Sequence, residues 1–214
     1  LENKLEELRK KVEIAGILAE TGRIYSSIQA TVKGVKHPVI VVSSAVAGEG
    51  KSLFAASLAI SAVRNREAPV LLVDGNWYAP CQAAIFGVES DFKIETGEQN
   101  VSPEVVDTGY PKLALLPAPE CPNDLDPTSL IQDFIRQLHP CYSLTIVDAP
   151  AILSINRNMV DPIALAAAAD GLALTVLANS TPRQMVKKAQ TMCEVSGARV
   201  LGLVVNQFCN PLAS

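Results

Sequence analysis

Two hydrophobic patterns follow one another along the chain. In the first, Leu1, Leu5, Leu8, Val12, Ala15 and Ala19 are spaced four, three, four, three, four. That spacing predicts a heptad seam on a helix, with Glu2, Glu6, Glu7, Lys10 and Lys11 on its flanks. Such a helix either lies on its own domain or packs on a neighbouring subunit as part of a stalk. A second helical stretch runs from about Glu20 to Lys33, and Lys36-His37-Pro38 closes it, because a residue before proline avoids the α region. His37 is read as a linker residue.

From Val39 the pattern changes to short apolar runs broken by helical stretches. Strands are predicted at Val39–Val42, Val70–Asp74, Lys112–Leu116, Ser143–Asp148, Leu172–Leu177 and Arg199–Asn206. Helices are predicted from Leu53, over Cys81–Phe86, over Thr128–Leu138 with Asp126 as its cap, and over Asn158–Ala169. A further helix opens at Thr181-Pro182, with proline at its first position, and stops at Gly197. Residues 87–111 lack periodicity and form a surface excursion with one small helix near Pro103–Val106. The four prolines of 117–127 mark a loop.

Continuous apolar strands alternating with helices predict an α/β fold: a parallel sheet with helices on both faces, joined by right-handed crossovers. Residues 1–36 are expected to be an N-terminal helical extension and 37–214 a nucleotide-binding domain. The composition agrees, since 49% of the 214 residues are hydrophobic and only 5% aromatic. The net charge of −4 supplies no basic field, so no nucleic-acid partner is expected. Five cysteines (Cys81, Cys121, Cys141, Cys193, Cys209) lack paired spacing, which predicts a reduced, cytosolic environment. No run approaches the ~18–20 apolar residues of a membrane span, and no signal-peptide pattern appears. The chain starts at Leu1 and not Met, so it is expected to be a processed product or an excised piece of something longer.

The chemistry concentrates at the end of the first strand. Val39-Ile40-Val41-Val42-Ser43-Ser44 runs into Ala45-Val46-Ala47-Gly48-Glu49-Gly50-Lys51-Ser52-Leu53 and then a helix, which is a P-loop with Ala45 where the first glycine usually stands. Ala47, Gly48, Glu49 and Gly50 would offer backbone N–H groups to phosphate oxygens, and Lys51 a positive charge. The Ser52 hydroxyl would ligate Mg²⁺, and the helix that opens at Leu53 would add its positive dipole end. Two further apolar strands end in carboxylates, Asp74 and Asp148, and the last ends in Asn206. Ser44, Asp74, Asp148 and Asn206 would all lie at one edge of a parallel sheet, where such sheets bind ligands. Asp74 and Asp148, with Ser52, are therefore assigned to Mg²⁺.

These motifs resemble those of the bacterial tyrosine kinases (BY-kinases), cytoplasmic domains tied to capsule and exopolysaccharide export. Val41–Ser52 is similar to their Walker A motif, Val73-Asp74-Gly75-Asn76 through Pro80 to their Walker A′, and Ile146-Val147-Asp148-Ala149-Pro150 to their Walker B. Glu20-x-x-Arg23 resembles the start of the helix through which these kinases form rings, and Leu201–Asn206 their last strand, whose Asn contacts adenine. The resemblance spans about Glu20 to Phe208. It implies ATP or ADP with Mg²⁺ as cofactors and Lys51, Asp74 and Asp148 as the catalytic set. It also implies homo-oligomers, location at the inner face of the plasma membrane, and a membrane-embedded polysaccharide co-polymerase as partner, or the rest of a longer membrane protein. The related septum-placement and partition ATPases carry a second lysine five residues before the P-loop lysine, where this chain has Val46.

The departures are specific. Walker A′ of the family reads D-x-D-x-R, and here Asn76 replaces the second aspartate and Tyr78 the arginine. That aspartate is the family's proposed base for the tyrosine hydroxyl, and an amide does not take a proton at neutral pH. The ring-forming arginine after Arg23 is Ser26, and Tyr25, Tyr78, Tyr110 and Tyr142 form no C-terminal cluster. The expectation is a nucleotide-binding domain with tyrosine kinase activity weak or lost. The alternatives are a nucleotide-dependent assembly switch and a partition- or maturation-type ATPase.

Overall fold

The computed structural model describes residues 2–65, 68–95, 101–120, 125–154 and 159–207. Leu1, Cys121, Asn158, Phe208, Cys209 and the side chains of Glu2 and Leu5 lie outside what is described. The strands are β1 (Val39–Ser44), β2 (Val70–Asp74), β3 (Val106–Asp107), β4 (Leu113–Leu116), β5 (Leu144–Asp148), β6 (Gly171–Leu177) and β7 (Val200–Asn206). The helices are α1 (Glu2–Ile17), α2 (Ala19–Thr31), α3 (Lys51–Asn65), α4 (Gln82–Phe86), α5 (Pro127–Leu138), α6 (Pro162–Ala168) and α7 (Arg183–Val195).

The strands form one sheet in the order β3-β4-β2-β5-β1-β6-β7. Every pair is parallel except β3 with β4. Successive side chains of a strand point to opposite faces, and the core divides accordingly. Ile40, Val42, Val70, Leu72, Leu144 and Ile146 pack beneath α3, with Val12 of α1 and Tyr25 and Ile28 of α2. Val41, Leu71, Val73, Val147, Leu172 and Leu174 pack beneath Ile131 and Phe134 of α5, Leu165 of α6 and Ala189 and Cys193 of α7. Burial on both faces is why these strands read as unbroken apolar runs.

Four expectations are corrected. The heptad seam does not continue through one helix: Leu18 is extended, with φ −65° and ψ 143°, so α1 ends at Ile17 and α2 begins at Ala19. The seam itself faces the chain's own core at Val12, which is buried, and at Leu8. Gly16 completes the contact, since a Cβ there would lie 2.7 Å from Ile60 of α3. The small helix expected near Pro103–Val106 is absent: residues 101–105 are irregular and lead into the edge strand β3 at Val106. A tight reversal after it, with Thr108 Oγ1 donating to the Leu113 carbonyl at 2.7 Å, returns the chain antiparallel on β4. The helix expected from Asn158 starts at Pro162, because Asp161 caps it by accepting from Ile163 N at 2.8 Å and Ala164 N at 3.3 Å. Pro182 likewise stands at the cap of α7, one position before the first helical residue. Asp126 caps α5 as expected, accepting from Thr128 N at 3.0 Å. No described helix is long and apolar enough to cross a membrane.

Candidate functional site

The carboxyl ends of β1, β2, β5, β6 and β7 converge. Asp74 and Asp148 are direct neighbours across the β2–β5 pairing, and Val42 pairs with Asp148 across β1–β5. Ser44 stands opposite Thr175 on β6, and Asn206 opposite Leu177. All four strand-end residues singled out in the sequence therefore lie on one edge, around the loop 45–50.

That loop is held in shape by its own side chains. Gly48 and Gly50 have φ of +86° and +81°, a region that L side chains rarely adopt. A Cβ on Gly50 would also collide with the Asn206 side chain. Asn206 Nδ2 donates to the Glu49 carbonyl at 3.1 Å, so in this structure Asn206 lies against the loop. The Glu49 side chain is buried and works as a latch. It accepts from Val46 N at 2.8 Å, from Leu177 N at 3.2 Å and from the Thr181 hydroxyl. The loop is thereby fastened to the β6–α7 turn.

Lys51 opens α3 and folds over its neighbours. Its Nζ donates to Ser52 Oγ at 3.2 Å and lies 3.8 Å from Asp148 Oδ1. The second distance is an ion pair too long for a hydrogen bond, and Asp148 Oδ1 has no hydrogen-bond partner although it is buried. Asp74 is anchored by backbone: Oδ1 accepts from Asn76 N at 3.2 Å, and Oδ2 from Cys81 N and Gln82 N, both at 2.9 Å. Burial first, and the Asp148 charge second, push the Asp74 carboxyl up to about 7 against those three N–H groups. Burial also raises Asp148, opposed chiefly by Lys51. Cys81, beside Ser52, is pushed up to about 11, mainly by burial, and is no thiolate at neutral pH.

The donor set fits a hard divalent cation with a phosphate chain: a hydroxyl, two buried carboxylates of which one has an orphaned oxygen, one ammonium and a loop with two positive-φ glycines. The residues that correspond to the rest of Walker A′ behave differently. Asn76 is nearly buried and spends its amide on its own turn, Nδ2 donating to the Ala79 carbonyl at 2.9 Å. Tyr78 is exposed, and Trp77 leans on Phe134 with ring centroids 6.5 Å apart.

Two residues were missed by the sequence reading in the roles they hold here. Glu49 was assigned only its backbone, and its latch partners lie 128 and 132 positions away. Gln82 carried no signal beyond standing at the start of a short helix after Asp74. Two cavities, of about 340 and 440 Å³, lie elsewhere: one beside His37, Arg136 and His139 at the amino ends of the strands, the other between α6 and α7.

No family model matches the chain. Over 206 residues it is 26% identical to the tyrosine-protein kinase CpsD of Streptococcus agalactiae, covering 91% of this chain and 87% of that one. It is 24% identical over 175 residues to a putative tyrosine-protein kinase, CapB of Staphylococcus aureus, covering 79% and 75%. Through these distant homologues the chain is related to the BY-kinase P-loop family. Solved structures with the same fold include the kinase domain of VpsO, with a TM-score of 0.73 at 23% identity over 94% of this chain and 96% of that one. The chimerical protein CapA2B2 gives 0.72 at 23% identity over 87% and 82%. The septum site-determining protein MinD of Pyrococcus horikoshii, complexed with Mg-ADP, gives 0.62 at 18% identity over 82% and 75%. This BY-kinase homologue is thus related to the capsule and exopolysaccharide kinases, and its fold extends to the MinD type.

Proposed function

We propose that the chain binds ATP or ADP with Mg²⁺ and serves capsule or exopolysaccharide production with tyrosine kinase activity weak or lost. The observation that carries the second half is Asn76. Where the family's motif has a second carboxylate, this chain has an amide whose N–H is committed to the Ala79 carbonyl. That group accepts no proton from a tyrosine hydroxyl. The nucleotide half rests on the loop. Ala47, Gly48, Glu49 and Gly50 offer backbone N–H groups, Lys51 neutralises phosphate charge, and Leu53 lies in the first turn of α3. Ser52, Asp74 and Asp148 are the metal's partners, and Asn206 is positioned beside the loop to meet a base. Bound magnesium would neutralise phosphate charge and fix the phosphate chain. The chain's own contribution to any transfer is positioning by the loop and charge neutralisation by Lys51.

The Mg-ADP complex of MinD supports the cofactor assignment. The motif resemblance to the BY-kinases is the ground for a membrane-embedded polysaccharide co-polymerase as partner and for a place at the inner face of the plasma membrane. The test is incubation with labelled ATP and Mg²⁺, followed by detection of phosphotyrosine. Wild type should give little signal, and Asn76→Asp at least tenfold more, as an order of magnitude for restoring a general base. Vigorous wild-type phosphorylation would refute the weak-kinase reading.

A further inference from the structure

Gln82 touches every residue assigned to the metal. Its backbone N–H donates to Asp74 Oδ2 at 2.9 Å. Its side-chain Nε2 donates to Asp148 Oδ2 at 2.8 Å and to the Ser52 carbonyl at 3.1 Å. The residue is fully buried. Its amide orientation is dictated, because a flip would set Oε1 against two acceptors, the carboxylate and the carbonyl. Gln82 Oε1 is consequently left with no donor, and so is Asp148 Oδ1. Two buried oxygens without donors, on two side chains bonded to each other, are unusual, and such groups point to a missing ion or water. A cation with its water shell supplies what both oxygens lack.

We infer that Gln82 is a magnesium-positioning residue, a reading that rests on the nucleotide site proposed above. Its N–H turns Asp148 toward the metal, and its Oε1 accepts from water in the metal's shell. The side-chain type fits this role. A carboxylate would add a third negative charge beside Asp74 and Asp148. An apolar residue would strip Asp148 Oδ2 of its donor in a buried place. Gln82 makes no described hydrogen bond to Gly48, Gly50 or Lys51, so its removal should fall on the metal before the phosphate grip.

The test is calorimetric titration of ADP into wild type, Gln82→Ala and Gln82→Met, each in MgCl₂ and in EDTA. Wild type should bind more tightly with magnesium. Both variants should match wild type within about twofold in EDTA and lose about tenfold of the magnesium-dependent gain, the usual scale for an outer-shell partner. Gln82→Met keeps the volume filled and carries the test if the alanine variant does not fold. A magnesium gain retained within twofold in the variants overturns the inference alone, as does an equal loss in both buffers. Wild type that binds no ADP in either buffer overturns the function proposed above, and the inference with it.

Discussion

Raising the pH should weaken the nucleotide-free protein, against the usual behaviour of a paired carboxylate. Asp74 and Asp148 face each other from β2 and β5, both buried, with Lys51 3.8 Å from Asp148. One ammonium offsets only one of two charges, so the pair retains a proton that the unfolded chain has released. Asp74 is raised from 3.8 to about 7. Between those limits the folded state binds more protons than the unfolded state, so stability falls as pH rises. The contribution is complete below the unfolded value and gone above the folded one. About three pH units at ~1.4 kcal/mol each set a ceiling of about 4 kcal/mol.

The assay is urea unfolding in EDTA at pH 5, 6, 7 and 8, followed by the fluorescence of Trp77, which lies three residues after Asp74 and packs near Phe134. Two of those three pH units lie above pH 5, so a loss of about 2–3 kcal/mol from pH 5 to pH 8 is expected for the nucleotide-free protein. Asp74→Asn, which removes the like charge, should flatten the profile. Saturating Mg-ADP should flatten it too, since a divalent cation holds both carboxylates ionised. Stability that is level or rising over this range in EDTA would show that the two acids do not share a proton, and the electrostatic account of the site would fail.

Lys51→Met should abolish ADP binding by calorimetry, and affinity kept within a few-fold would mean that the phosphates lie elsewhere. Val12→Ala should cost about 1–3 kcal/mol in urea unfolding, because Val12 is buried against α3 through its place in the core. An α1 that served only as a stalk would leave unfolding unchanged.

The site was legible where local pattern and topology coincide. Val39–Val42, Val70–Val73 and Leu144–Val147 are apolar because both faces of the sheet are covered, and a polar residue after each marks the ligand edge. The loop 45–52 announced itself through Gly48, Gly50, Lys51 and Ser52. What stayed hidden depends on partners distant in sequence. Gln82 reaches Ser52 across 30 positions and Asp148 across 66, so nothing in its neighbourhood forecasts either bond. β3 is two residues long and owes its existence to the reversal at Thr108, a tertiary fact that periodicity does not record. The division into two helices was legible near Glu20, but the heptad spacing carries Ala19 with the first helix while the backbone breaks at Leu18.

If the proposed site is right, the arrangement of charge requires nucleotide and metal to bind together. Lys51 is shared between two duties. In this structure it balances Asp148 and donates to Ser52. Among the described residues it forms the only ion pair with either strand-end carboxylate. A phosphate chain in the loop 45–50 draws that ammonium toward itself and uncovers two buried carboxylates. Without a second cation the cost would fall on Asp148, already starved of a donor at Oδ1. A divalent ion cancels that cost, so each ligand removes the penalty imposed by the other. Such coupling is reciprocal by thermodynamic necessity: the factor by which Mg²⁺ tightens ADP is the factor by which ADP tightens Mg²⁺. Gln82, bonded to both carboxylates and to Ser52, stands where that factor is set.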